Sequence, residues 1–117
     1  MSKIKVLVVE PNRNPYVKEI RPTLKEEQKI VGGLIEPVDL DENGEIVLIC
    51  NEKGKVNRMQ PNRYVPQIED TVFGTFFLCG GEGEDFSSLS GQQIFYFRNY
   101  FAVGNPLDIG KGRSSCR

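Results

Sequence analysis

Residues 45–50, EIVLIC, carry the densest apolar run in mid-chain. Side chains alternate along a strand, so Ile46 and Leu48 point to one face and Val47 and Ile49 to the other. Both faces are greasy. Such a strand belongs in a sheet interior with a helix over at least one side. Asp41-Glu42-Asn43-Gly44 precedes it, and an Asn-Gly pair tolerates the positive φ of a reversal. A hairpin between residues 34–40 and 45–50 follows, then a second turn at residues 51–54 and a short return strand at residues 55–59.

Residues 3–9 begin as an alternation and become continuously apolar through Val6, Leu7, Val8 and Val9, which marks a second interior strand. Pro11 and Pro15 bracket a reversal, and residues 16–20 alternate as an edge-like partner of that strand. A first helix starts at Thr23, which with Glu26 spells a capping box, and ends at Gly32-Gly33. Its apolar stripe is narrow, with Leu24, Gln28 and Val31 in line and Ile30 beside them. Residues 60–70 contain Pro61 and Pro66 and read as an ordered loop. Residues 71–79, TVFGTFFLC, read as one strand, with Phe73 and Phe77 sharing a face and Gly74 at a bulge or a close approach. The strongest helix signal comes last. Ser90 and Gln93 form a capping box, Leu89 can staple onto Ile94, and Ile94, Phe97 and Phe101 recur at helical spacing with Phe95 and Tyr100 widening the band. This second helix is expected to cover the sheet and dominate the core.

These elements predict a single α+β domain over residues 1–109, with a mixed or antiparallel sheet of about five strands covered by two helices. Residues 110–117, GKGRSSCR, are expected to form a mobile basic tail. A chain of 117 residues suffices for one real core. Hydrophobic residues make up 38 % and charged residues 26 %, which places the chain among folded rather than disordered proteins. Fifteen basic against sixteen acidic residues, a net charge of -1, show no general nucleic-acid footprint. No apolar run nears the roughly 20 residues of a membrane span, and nothing at the N-terminus resembles a cleavable leader, so a cytoplasmic protein without membrane contact is expected.

Chemistry is sparse. The chain has no histidine, which removes the commonest general base and metal ligand. Cys50, Cys79 and Cys116 lack the CxxC spacing of a zinc site, and Cys50 and Cys79 each end an apolar strand, where a thiol behaves as a small hydrophobe. The loop Gly80-Gly81-Glu82-Gly83-Glu84-Asp85 lacks a phosphate-binding glycine spacing; Glu82, Glu84 and Asp85 could meet a divalent cation, although an acidic lead-in to a helix is the plainer reading. No catalytic residue, metal site or cofactor is assigned. Lys53, Lys55, Arg58 and Arg63, interleaved with Asn51, Asn57, Asn62 and Tyr64, form the one cluster with binding character, because amides and guanidinium groups fix polar ligands by directed hydrogen bonds. A solvated hairpin tip, with Asn or Arg pinning loop backbone, is the structural reading of the same residues and the favoured one.

The blocks LVVEP, YVKEI, VGGLIE, ICNEKGKVN, PNRY, GTFF and EDFSSLS together resemble the domain-of-unknown-function family catalogued as three-eight-four-six, over roughly residues 3 to 90. The resemblance implies a small protein of phages and conjugative elements of gut bacteria, sometimes encoded near antirestriction genes, with no activity to carry over. The blocks ICNEKGKVN and PNRY fall on the polar cluster. Asn51, Glu52, Asn62, Arg63 and Tyr64 are therefore the candidate binding residues. The resulting expectation is a non-enzymatic mobile-element accessory protein that binds a host or element protein, or a small ligand; a nucleic-acid-binding or antirestriction-associated protein, using the same cations with Lys111, Arg113 and Arg117, is the alternative.

Overall fold

Leu7, Leu78 and Leu48 lie side by side across three neighbouring strands, and Val8, Phe77 and Ile49 repeat the arrangement on the opposite face. All six side chains are buried. The computed structural model describes residues 3–81 and 86–107. Within them the main sheet has five strands, β1 (Ile4–Val9), β2 (Tyr16–Ile20), β3 (Ile35–Asp39), β4 (Ile46–Asn51) and β7 (Phe76–Gly80). They run in the order β2-β1-β7-β4-β3, and every neighbour is antiparallel. A second sheet pairs β5 (Pro61–Val65) with β6 (Asp70–Phe73).

The two-faced pattern of β1 and β4 is the organising cause. One face of the main sheet sends Leu7, Val9, Ile46 and Leu48 into a core closed by the small sheet through Val65 and Val72, and by helix α2 (Gly91–Tyr100) with the following Phe101. The other sends Ile4, Val6, Val8, Val47 and Ile49 into a core closed by helix α1 (Leu24–Val31). The result is the expected single α+β domain, with the small sheet added.

The predicted hairpin of residues 34–40 and 45–50 is present as β3 and β4, with Val38 opposite Leu48. Asp41 tightens the connection by accepting from the amides of Glu45 at 2.8 Å and Ile46 at 3.4 Å. Leu40 donates to the Ile46 carbonyl and Glu52 to the Leu34 carbonyl. Even-numbered β3 amides therefore face β4, and Pro37 turns its missing donor to the open edge. An edge strand blunted in this way offers less to a foreign strand.

Several sequence expectations are corrected. Residues 55–59 are not a return strand but a succession of tight turns, in which the Asn57 amide reaches the Lys53 carbonyl and the Met59 amide the Gly54 carbonyl. Residues 60–70, expected as a loop, hold β5 and a 3-10 turn, Pro66–Ile68. Pro61 opens β5, a place where a strand spares a donor. The single strand expected over residues 71–79 is two strands in different sheets. Gly74, at φ 85°, turns the chain between them, so Phe73 and Phe77 do not share a face. Met59 packs so closely that its sulfur would lie 2.8 Å from a Cβ at Gly74.

The helices obey their caps more than their apolar stripes. Ser90 and Gln93 complete the reciprocal capping box of α2, and Leu89 and Ile94 join the same core cluster. Thr23 accepts from the Glu26 amide at 3.3 Å, but the Thr23 amide donates to the Arg21 carbonyl, so only half of that box forms. Leu24 is 57 % exposed and lies off the core; α1 buries Glu27 and Val31 instead. In α2 only Phe97 is fully buried. Phe95 at 73 % and Tyr96 at 57 % exposed face outward, so the small sheet shares the covering role expected of the two helices. The acidic residues Glu82, Glu84 and Asp85, the tail of residues 110–117 and Cys116 lie outside the described residues.

Candidate functional site

Asn51, the last residue of β4, uses both ends of its amide within the fold. Nδ2 donates to the Val31 carbonyl at the end of α1, at 3.1 Å, and Oδ1 accepts from the Lys53 amide at 2.8 Å. This sets the direction of the turns that follow. Gly54 then approaches the end of β6 so closely that a Cβ there would lie 2.6 Å from the Phe73 carbonyl oxygen. Backbone packed at this distance admits only glycine.

The turns, β6 and the β3–β4 hairpin thereby enclose an open cleft of about 310 Å³. Val38, Cys50, Ile68 and Val72 supply apolar lining, and Val56, 78 % exposed, stands at the cleft as well. Three carboxylates border it from three elements, Glu36 on β3, Glu52 after β4 and Asp70 on β6. Lys55 is the one cation of the lining. Its Nζ lies 2.6 Å from Asp70 Oδ1 and 5.9 Å from the centroid of the Phe73 ring. Asp70 also accepts from the Thr71 amide at 2.8 Å, and these two bonds, Lys55 first, hold its carboxyl below the ordinary aspartate value. Because the pair is half exposed, its stabilising effect is small.

Cys50 reports the field of the cleft. Burial pushes its thiol up to about 11, and the charges of Glu36 and Asp70 add to the shift. Cys79, deeper in the other core, is pushed up to about 12 by burial, with Glu27 adding to it. Burial thus favours the protonated thiol at both positions.

The five candidate binding residues separate. Asn51 and Glu52 line the cleft. Asn62 and Arg63 are fully buried elsewhere, and Tyr64, partly exposed on β5, does not line the cleft. Asn62 Nδ2 donates to the carbonyls of Val9 and Gly74, each at 2.9 Å. Arg63 donates from Nε and Nη2 to the Phe101 carbonyl at 3.1 and 2.8 Å, and from Nη2 to the Arg13 carbonyl at 2.8 Å. A guanidinium at the end of α2 also meets the negative pole of that helix. The basic cluster seen in the sequence is therefore divided: Arg63 is internal, Lys55 is bridged, and Lys53 and Arg58 remain exposed on the turns.

Glu36, Val56, Asp70 and Phe73 belong to the cleft and were not singled out by sequence. For Glu36 a signal existed, since it shares a strand face with Val38 at a spacing of two. Asp70 and Phe73 had none, because only the fold-back at Gly74 brings β6 to this position. Among the described residues no group of three or more His, Cys, Asp or Glu side chains is placed to hold a metal ion, and no helix is long and apolar enough to cross a membrane.

The fold and cleft define a small α+β domain with no metal cluster among the described residues. Its sequence matches the family described as domain of unknown function DUF3846 over residues 4–102, and the chain belongs to that family. Comparison with curated proteins and with solved structures finds no match.

Proposed function

We propose that this chain is a non-enzymatic binding module whose recognition site is the cleft bordered by Asn51, Glu52 and the turns of residues 52–58. The mobile-element setting implied by the family resemblance, and the cytoplasmic location expected from the sequence, are part of the same reading. One observation supports it above the rest: a concave, partly apolar site is bordered by charged groups from β3, the turns after β4 and β6. Pockets of this composition suit ligands that bury an apolar stem and place a polar group at the rim. Asn62 and Arg63, being internal, serve this site by fixing β5 and hence its partner β6, and do not touch a ligand. The division of the basic cluster weighs against nucleic acid as the partner at this site, since phosphate binding draws on several exposed cations together.

Protein-observed NMR against a chemically diverse fragment library tests the reading. Shifts are expected at Glu52, Thr71, Val72 and Phe73. Shifts confined to the exposed aromatic face of α2, at Phe95, Tyr96 and Tyr100, would place recognition away from the cleft and overturn it.

A further inference from the structure

The two outer edges of the main sheet differ. Ser87 pairs with Gly80 of β7, and the residues after it reach β1, where Leu89 donates to the Lys5 carbonyl and Lys5 donates to Ser88 Oγ. Odd-numbered residues of β1 therefore bond on the β7 side, and even-numbered ones on the β2 side, opposite Tyr16, Lys18 and Ile20. Backbone groups alternate along a strand, so Val17 and Glu19 turn amide and carbonyl outward. Among the described residues nothing meets them. The outward residues of β3 are Ile35, Pro37 and Asp39, a row broken at its centre by proline. β2 has no such break, and all of it but Ile20 is exposed, with Tyr16 at 40 % and Val17 at 41 %.

An open edge accepts another strand, and the side chains of β2 select which one. Two copies of β2 can meet antiparallel across a twofold axis with Val17, Lys18 or Glu19 on it, because outward-facing residues must stand opposite each other. Lys18 on the axis opposes two ammoniums and Glu19 opposes two carboxylates, and like charges directly opposite are destabilising. Val17 on the axis opposes two valines, which cover each other on the Leu7 side of the sheet. Lys18 then comes beside Tyr16 of the second copy, whose hydroxyl donates to Glu10 Oε2 at 2.7 Å. The lysine stem covers that ring, and its ammonium approaches a carboxylate bridged on its other oxygen to the exposed Arg13 at 3.6 Å. Glu19 comes opposite Pro15, which borders the same surface hollow as Arg98, so opposite charges meet there too.

We propose that the chain forms a twofold dimer through β2, with Val17 on the axis, joining two five-stranded sheets into one continuous antiparallel sheet. The occupant of the edge is a second copy, because this strand is complementary to itself in one register and repelled in the others. One short strand from each copy makes a narrow contact, so a dissociation constant of about 0.1 mM is expected, at the weak end of specific interfaces.

Sedimentation velocity of the full chain from about 0.01 mM to about 1 mM should show a monomer passing to a dimer. Over the same range, amide exchange followed by NMR should slow at Val17 and Glu19 and not at Lys18, whose amide is already bonded to β1. Val17→Lys places an ammonium on each side of the axis and should weaken association about tenfold, a loss that shrinks in about 0.5 M salt. Val17→Pro removes the outward amide, as Pro37 does on β3, and should abolish association. Residue 17 is exposed and its amide lies outside the β1–β2 ladder, so the core resonances should persist in both variants; Val17→Lys carries the test if proline disturbs the strand. A monomer at every concentration would overturn the proposal. So would association that leaves Val17 and Glu19 exchanging as fast as in dilute solution, which would put the interface elsewhere, and so would protection of both amides at every dilution, which would show the chain covering its own edge. Tighter association of Val17→Lys would overturn the register, since a lysine there meets Glu19 when Lys18 holds the axis.

Discussion

Arg63 donates from Nη1 to Asn62 Oδ1 at 2.7 Å, although the two are consecutive residues of one strand. Neighbours in a regular strand point to opposite faces. The β5–β6 register shifts between Pro61 and Arg63, and this irregularity brings both side chains inside. Together they hold the end of β1, the reversal after it, the β6–β7 junction and the end of α2, through the carbonyls of Val9, Arg13, Gly74 and Phe101.

Arg63→Ala should therefore act on stability. It strips donors from the buried Phe101 and Arg13 carbonyls and from Asn62 Oδ1, and a buried acceptor left unsatisfied costs about 1–3 kcal/mol. Denaturant titration should show an unfolding free energy lowered by at least that much. Asn62→Ala should be less than additive with it, because the two share a bond. An unfolding free energy within about 0.5 kcal/mol of the parent chain would contradict the architectural role.

Gly54→Ala isolates the wall of the cleft. The added methyl would sit 2.6 Å from the Phe73 carbonyl oxygen, a backbone atom that cannot rotate away. The turns must then shift from β6, at a cost of about 1–3 kcal/mol. Amide shifts should spread along residues 52–58 and 70–73, and cleft ligands should be lost. Changes confined to residue 54 would mean that the turn and β6 are not in register as described.

Glu27 supplies a pH test. It is 4 % exposed on the sheet-facing side of α1, and burial raises its carboxyl above the ordinary 4.5. The folded chain then holds that proton more tightly than the unfolded chain, so stability falls as pH rises from 4.5 through the raised value. Glu27→Gln should melt higher than the parent at pH 7 and converge with it below about pH 4. Asp70 shifts the other way but is common to both chains, so it drops out of the difference. A gap that does not vary with pH would reject buried ionisation as its cause.

The thiols give a fourth test. With values near 11 and 12, Cys50 and Cys79 are thiolate for less than roughly one part in a thousand at pH 8. In a Cys116→Ser background, both should resist a thiol reagent in the native state and react together on unfolding. Rapid native labelling of Cys50 would show that the floor of the cleft opens locally.

Periodicity was a good guide where the chain obeys one rule for several residues, and a poor one where a single residue changes the rule. The two-sided runs of β1 and β4, and the hairpin before residue 46, were legible because alternation and turn chemistry agree. The division of residues 71–79 was not, since one positive-φ glycine sends apolar neighbours into different sheets. Asn62 and Arg63 drew attention as polar residues beside a turn, yet an offset in strand register put them inside. Only part of the cleft could be foreseen. Asn51 and Glu52 lie on the distinctive turn, whereas Glu36 and Asp70 reach it through pairings between distant segments.

The position of β7 has a consequence for how the protein is made. The central strand of the sheet is its last, so β1 with β2 and β3 with β4 emerge from the ribosome as separate hairpins, each with one adhesive flank. Neither flank finds its mate until residue 80 has been synthesised. Through that interval the unpaired flanks are open to contacts with other chains, the exposure from which aggregation starts.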